Sequence, residues 1–180
     1  MAQVTEIRRR RGMDHETNGW RAEIRARLGS ELDHLTDELD TPVPEQGGHP
    51  RHEAAYRASV ESRRTIQRRI RLLSQLIAGL PMVDPETISH DRAGYGSTVF
   101  LRNLDTGSEL FYTLMAGELI DLDANQVSLA SPIGQALQGC REGDEPTVET
   151  PHGRRRFRVL ALQTLPRSLG MAAPMAPDAA

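Results

Sequence analysis

Two stripes of aliphatic residues at helical spacing, split by a break that cannot be helical, constrain this chain more than any other feature. Ile24, Leu28, Leu32, Leu35 and Leu39 recur at intervals of four, four, three and four, so they share one face of a helix. Pro42 and Pro44 end that pattern because each removes a backbone donor. Gly47, Gly48 and Pro50 prolong the break. A second stripe follows: Tyr56, Val60, Ile66, Ile70, Leu73, Ile77 and Leu80, with Arg63 at one stripe position and Gly79 and Pro81 closing it. A helix from His52 to Leu80 is roughly 40 Å long at the usual rise. Its apolar stripe needs a cover, and the preceding helix is nearest. The two are predicted to pack as an antiparallel coiled-coil arm over residues 17–81.

Charge supports the pairing. From Leu28 to Glu45 there are six acids (Glu31, Asp33, Asp37, Glu38, Asp40 and Glu45) and no Arg. From Arg51 to Arg71 there are seven arginines and only Glu53 and Glu61 as acids. Opposite flanking charges favour pairing of unlike helices and disfavour pairing of like ones. Each exposed pair contributes only about 0.2–1 kcal/mol, so the effect is on specificity more than stability.

Beyond Pro81 the period changes. Residues 82–96 read as a linker. Ser97–Arg102 and Glu109–Met115 read as strands joined by an Asp105-Thr106-Gly107 turn. Gln126–Leu129 is a short strand. Pro132–Gln138 is a short helix, with Ser131 as N-cap, Pro132 at its first position and Gly139 closing it. Glu145–Thr150 and Arg156–Thr164 form a second hairpin around Pro151-His152-Gly153. Strands flanking one short helix predict a small antiparallel domain over 82–166, and an α+β class for the whole chain. Residues 1–16, with the Arg8–Arg11 run, and residues 167–180 carry no apolar pattern and are read as disordered tails.

Composition excludes several classes. A net charge of -3 rules out polyelectrolyte behaviour of the whole chain, though all 22 cationic side chains are Arg. Cys140 is the single cysteine, so no internal disulfide is available and an oxidising compartment is not needed. No apolar run is long enough to span a membrane, and no apolar stretch follows Arg8–Arg11 as a signal peptide requires. The expectation is a cytoplasmic monomer. Aromatic residues are 4% of the chain, too few for a large aromatic-lined pocket. That weighs against a prolyl isomerase built on Tyr95, Phe100, Phe111, Tyr112 and Phe157.

Several phrases stand in a fixed order: Gly94-Tyr95-Gly96-Ser97-Thr98-Val99, Asn103-Leu104-Asp105-Thr106-Gly107, Ser131-Pro132-Ile133-Gly134, Thr150-Pro151-His152-Gly153 and Phe157-Arg158-Val159-Leu160. In this order they resemble the C-terminal domain of the Gre family of bacterial transcription elongation factors, and residues 54–84 resemble the family's arm. The resemblance implies an FKBP-like C-terminal domain and docking at the rim of the secondary channel of bacterial RNA polymerase. Nucleic acid would be met only through the transcription complex. The docking role falls on Ser131, Pro132 and Ile133.

In cleavage-competent members the arm tip carries two acids three residues apart, which bring a second Mg²⁺ to the polymerase active site. Alignment on Tyr56 puts His49 and His52 at those places, and imidazole is a poor ligand for a hard cation. Glu45 and Glu53 are the acids nearby. The expectation is a regulator that is not itself an enzyme, holds no cofactor, and does not efficiently stimulate transcript cleavage. Its polymerase's Mg²⁺ would be engaged only if Glu45 or Glu53 were competent. The alternatives are a true cleavage factor acting through those two acids, a transition-metal site at His49-x-x-His52-Glu53, and an adaptor for another protein.

Overall fold

The structure, a computed structural model, describes residues 2–42, 50–84, 87–117, 120–150 and 153–172. Two compact units divide the chain: Arg25–Ala78, and Met1–Ile24 together with Gly79–Ala180.

The unit Arg25–Ala78 is a helix pair, made by the later part of one helix and most of the next. Helix α1 is Ala2–Asp40 and helix α2 is Pro50–Gly79. Arg69 pairs with Glu31 at 2.7 Å, and Arg63 donates to the carbonyl of Thr41. A later residue of α2 thus meets an earlier residue of α1, as an antiparallel pair requires. Leu28, Ile66, Leu73 and Leu76 are buried, while Leu32, Leu35, Leu39 and Tyr56 are half-buried. Arg63, at a stripe position, is half-buried and its guanidinium reaches a carbonyl, as a long cationic side chain can. The segregated charges pair across the seam at Glu31–Arg69, whereas Arg57, Arg64 and Arg68 pair with Glu53 and Glu61 of their own helix.

Helix α1 starts well before the expected position. The backbone of residues 2–16 is helical, where a disordered tail was expected. The segment has no proline, and its four arginines with Ala2, Gln3, Glu6 and Glu16 are good helix formers, which carry helix without an apolar stripe. Pro50 opens α2 two residues ahead of the expected start, at the one helical position where a missing N–H is harmless.

In the other unit, strands β1 (Thr98–Asn103), β2 (Glu109–Met115), β3 (Gln126–Ser128), β4 (Thr147–Thr150) and β5 (Gly153–Gln163) form one sheet in the order β3-β2-β1-β5-β4. Helix α3 is Pro132–Leu137 and α4 is Leu165–Ser168. β1 alternates strictly, with Val99, Leu101 and Asn103 buried and Phe100 and Arg102 exposed. The inward set meets Leu114, Leu137, Val148, Phe157 and Val159 in one core. Asn103 also sets the β1–β2 turn: its Oδ1 accepts from the Asp105 and Thr106 amides at 2.9 and 3.2 Å. Gly107 supplies the left-handed residue, at φ +75°.

The sheet is mixed, not wholly antiparallel. β3 runs parallel to β2, with Thr113 opposite Gln126 and Met115 opposite Ser128. The connection decides this. After β2 the chain enters β3 through a 3₁₀ turn at Leu122–Ala124, capped by Asp121, so β3 starts beside Thr113. A hairpin turn would have reversed it.

The linker expected over 82–96 is substantially packed, with Val83, Ile88, Ala93 and Tyr95 buried. Trp20 stacks on His90 at 5.8 Å, and Arg21 Nη2 donates to the Val83 carbonyl at 2.5 Å. Of the C-terminal tail expected from residue 167, Arg167 and Ser168 belong to α4 and Met171 is buried; residues 173–180 lie outside the described residues. Among the described residues no helix is long and apolar enough to cross a membrane.

Tyr95 is fully buried, and a Cβ on Gly79 would lie 2.4 Å from its hydroxyl and 3.0 Å from the Ala116 carbonyl. Gly79→Ala is therefore expected to destabilise the protein by about 1–3 kcal/mol through overpacking, read as a lower urea midpoint with unchanged slope. Burial, and secondarily the charge of Asp144, pushes the Cys140 thiol above its ordinary range. Alkylation of Cys140 by iodoacetamide should be slower at pH 8 than that of a free thiol and should reach its plateau at a higher pH.

Candidate functional site

The loop between β3 and α3 is held by bonds that converge on Ser128 and Ser131. The Ser131 amide and hydroxyl both donate to the Ser128 carbonyl, at 3.0 and 2.6 Å. The Ser131 hydroxyl in turn accepts from the Gly134 amide at 3.1 Å, which is the N-cap bond. Ser128 Oγ accepts from the Ala130 amide at 3.1 Å, and Gln135 Nε2 donates to the Ala130 carbonyl at 3.1 Å. Gly134 closes the arrangement from below: a Cβ there would stand 1.9 Å from the Ser128 carbonyl oxygen. Only glycine permits α3 to approach β3 so closely.

This frame presents a small fixed edge. Pro132 is exposed and Ser131 and Ile133 are half-exposed, Ile133 resting with its inner side on the core. Pro132 has a locked φ and the loop is already bonded, so binding here would cost little conformational entropy. The three residues named for docking are thus adjacent, rigid and accessible.

Beside them lies an open groove of about 280 Å³, walled by Met82, Asp84, Ala116, Leu129, Ala130 and Gln138. It shares Ser128 to Ala130 with the docking loop. Sequence reasoning missed it, and the available signal was Met82: it follows Leu80 and Pro81 in an apolar run, yet it is 74% exposed.

The arm tip is only partly in view. Glu45 and His49 lie outside the described residues, as does the side chain of His52. Glu53 sits exposed in the first turn of α2, its carboxylate 2.5 Å from the Arg57 guanidinium. An acid already held by a cation is a poor start for an Mg²⁺ site, and imidazoles at the two neighbouring places do not improve the donor set. His49 and His52 are not the oxygen donors that a second Mg²⁺ favours. Among the described residues no group of three or more His, Cys, Asp or Glu is placed to hold a metal ion. The aromatics considered for an isomerase cleft diverge: Tyr95 and Phe157 are buried, while Phe100 and Phe111 are exposed on the outer sheet face.

Residues 88–164 match the family model described as "Transcription elongation factor, GreA/GreB, C-term". The chain is 32% identical over 139 residues to the transcription elongation factor GreA of Helicobacter hepaticus, covering 77% of this chain and 84% of that one. It is 33% identical over 137 residues to the GreA of Desulfovibrio desulfuricans, covering 76% and 83%. Among solved structures, GreA/GreB from Nitrosomonas europaea is 28% identical, covers 59% of this chain and 91% of its own, and superposes with a TM-score of 0.37. GreA factor homolog 1 of Thermus thermophilus is 24% identical, covers 83% and 93%, and scores 0.36. The sequence relationship carries the comparison; superpositions at these scores add nothing to it.

Removing the cap by Ser131→Ala should cost about 1 kcal/mol. Gln135→Ala, which loses one exposed bond, should stay within about 0.5 kcal/mol. Gly134→Ala should be the most damaging of the three, because two backbones must part. Thermal midpoints of the three variants would give that order.

Proposed function

The chain belongs to the GreA/GreB family of transcription elongation factors, and from that premise we propose that it binds bacterial RNA polymerase at the secondary channel without efficiently stimulating transcript cleavage. The docking half of this reading is supported by the Ser131-Pro132-Ile133 edge, which stands where the family resemblance places docking and is rigid before any partner arrives. The exposed Pro132 and the upper side of Ile133 offer apolar area, and the groove at Met82 and Leu129 extends it.

The other half is carried by one observation. Places that need paired carboxylates hold His49 and His52, and the adjacent Glu53 is paired with Arg57. Hydrolysis of a phosphodiester through two metals needs oxygen ligands on the second ion. An arm with this tip would occupy the channel without delivering that ion. The chain itself then breaks no bond, and any RNA hydrolysis belongs to the polymerase. Its effect would be to exclude or slow a cleavage-competent factor.

Two assays check this. Backtracked elongation complexes given the protein and Mg²⁺ should shorten their RNA no faster than the polymerase does alone, and the protein should slow cleavage by an active Gre factor in competition. Shortening above the intrinsic rate, lost on Glu45→Gln or Glu53→Gln, would instead make it a cleavage factor. Pro132→Asp keeps a favourable residue in the first turn of α3 but removes the apolar edge. It should weaken polymerase binding at least tenfold, roughly 1.4 kcal/mol, with a thermal midpoint near that of the unsubstituted protein.

A further inference from the structure

Strand β5 opens on a run of arginines, Arg154, Arg155 and Arg156, with Arg158 following. Alternate side chains of a strand go to opposite faces, so three of the four share one face and the fourth does not. Arg154, Arg156 and Arg158 lie on the outer face, and each meets an acid there: Glu149 at 2.9 Å, Asp105 at 3.5 Å, and Glu145. Arg155 alternates instead with Phe157 and Val159, which are buried. It emerges on the core side of the sheet, near the strand's start, where it is exposed. Among the described residues it meets no carboxylate.

The surroundings of Arg155 account for that. Directly opposite it on the edge strand β4 stands Val148, which is buried. Side chains directly opposite each other share a face. Val148 belongs to the core on which Ile133 rests, and α3 packs against β4. Arg155 therefore stands on the side of the sheet that carries α3, a helix of six residues and so about 9 Å long. From Gln126 to Gln138 the chain has no charged residue. The docking loop and α3 thus offer Arg155 no acid, and its guanidinium is the charge left over on this side of the hairpin.

Resting on the docking reading above, we infer that Arg155 is the charged anchor of that surface: the polymerase segment that covers Ser131, Pro132 and Ile133 presents an Asp or Glu carboxylate to Arg155. Apolar contact at Pro132 and Ile133 supplies area but little orientation. One ion pair on the β4 side of α3 fixes how the partner lies, since charges at a rim set register and encounter rate. The planar guanidinium suits a carboxylate, and no pair within the chain has to break first.

Charge separates this occupant from two others. A nucleic-acid strand draws its affinity from many phosphates at once, whereas this side of the hairpin offers one unpaired cation beside an uncharged segment. A second copy of the chain would bring the same uncharged segment, which holds no acid for Arg155.

The test measures the affinity of the full-length protein for bacterial core RNA polymerase, free of nucleic acid, by biolayer interferometry. Arg155→Gln should weaken binding about fivefold and Arg155→Glu about fiftyfold, because reversal adds repulsion to the lost pair. Both losses should shrink at roughly 0.5 M salt, where exposed charges are screened. Arg154→Gln, on the outer face, should stay within about twofold, and all three variants should keep the thermal midpoint of the unsubstituted protein. Three results would overturn the inference while leaving the docking reading in place: full affinity of Arg155→Gln when Pro132→Asp binds weakly, equal losses for Arg155→Gln and Arg155→Glu, or a loss that appears only with elongation complexes, which would assign Arg155 to RNA phosphate. Absence of any binding by the unsubstituted protein would remove the docking reading and this inference together.

Discussion

The strict alternation of β1 is the constraint on which the C-terminal part of the molecule depends. As the middle strand it must bury one face completely, and Val99 and Leu101 do so against Leu114, Leu137 and Val159. A one-residue slip would exchange that face for Phe100 and Arg102, so the register is strongly specified. The inward side supports α3, and α3 can lie close because Gly134 has no side chain to strike Ser128. That approach shapes the Ser131-Pro132-Ile133 edge. The outward side is left with two phenyl rings and paired guanidiniums. One pattern in six residues thus determines two surfaces of different chemistry.

Much of this was legible in the sequence, where the deciding interaction is local. The Asn103–Gly107 turn, the Ser131 cap and the Gly139 stop each rest on residues within four positions of one another, and their side chains announce them. The two aliphatic stripes marked the helix pair because an apolar seam has a period. What escaped was decided by groups distant in sequence or lacking a period. The parallel pairing of β3 follows from the 3₁₀ turn at Leu122–Ala124 that starts it beside Thr113, which no alternation encodes. The start of α1 escaped because helix formers without a stripe look like a tail. The packing of residues 83–95 escaped because Val83, Ile88, Ala93 and Tyr95 are too unevenly spaced to declare a buried face.

The candidate site divides the same way. Ser131, Pro132 and Ile133 were found through a family resemblance, and the bonding around them supplies the physical reason they suit a partner: order paid for by folding rather than by binding. The groove at Met82 was not found: its one signal, an apolar residue just past the end of α2, does not by itself announce exposure. At the arm tip the sequence speaks through what is missing. Mg²⁺ chemistry favours paired carboxylates, and the two places that the family resemblance assigns to them hold His49 and His52. Family membership and tip chemistry pull in different directions, and the proposed channel-binding factor that leaves hydrolysis unassisted would reconcile them.

Hydrogen–deuterium exchange of the protein alone and in complex with bacterial core RNA polymerase addresses the central claim most directly. The account predicts added protection at the amides of residues 126–138, greatest around Ser131 to Gln135, together with protection along α2 as the arm enters the channel. Unchanged exchange at residues 126–138 in a complex that demonstrably forms would contradict it.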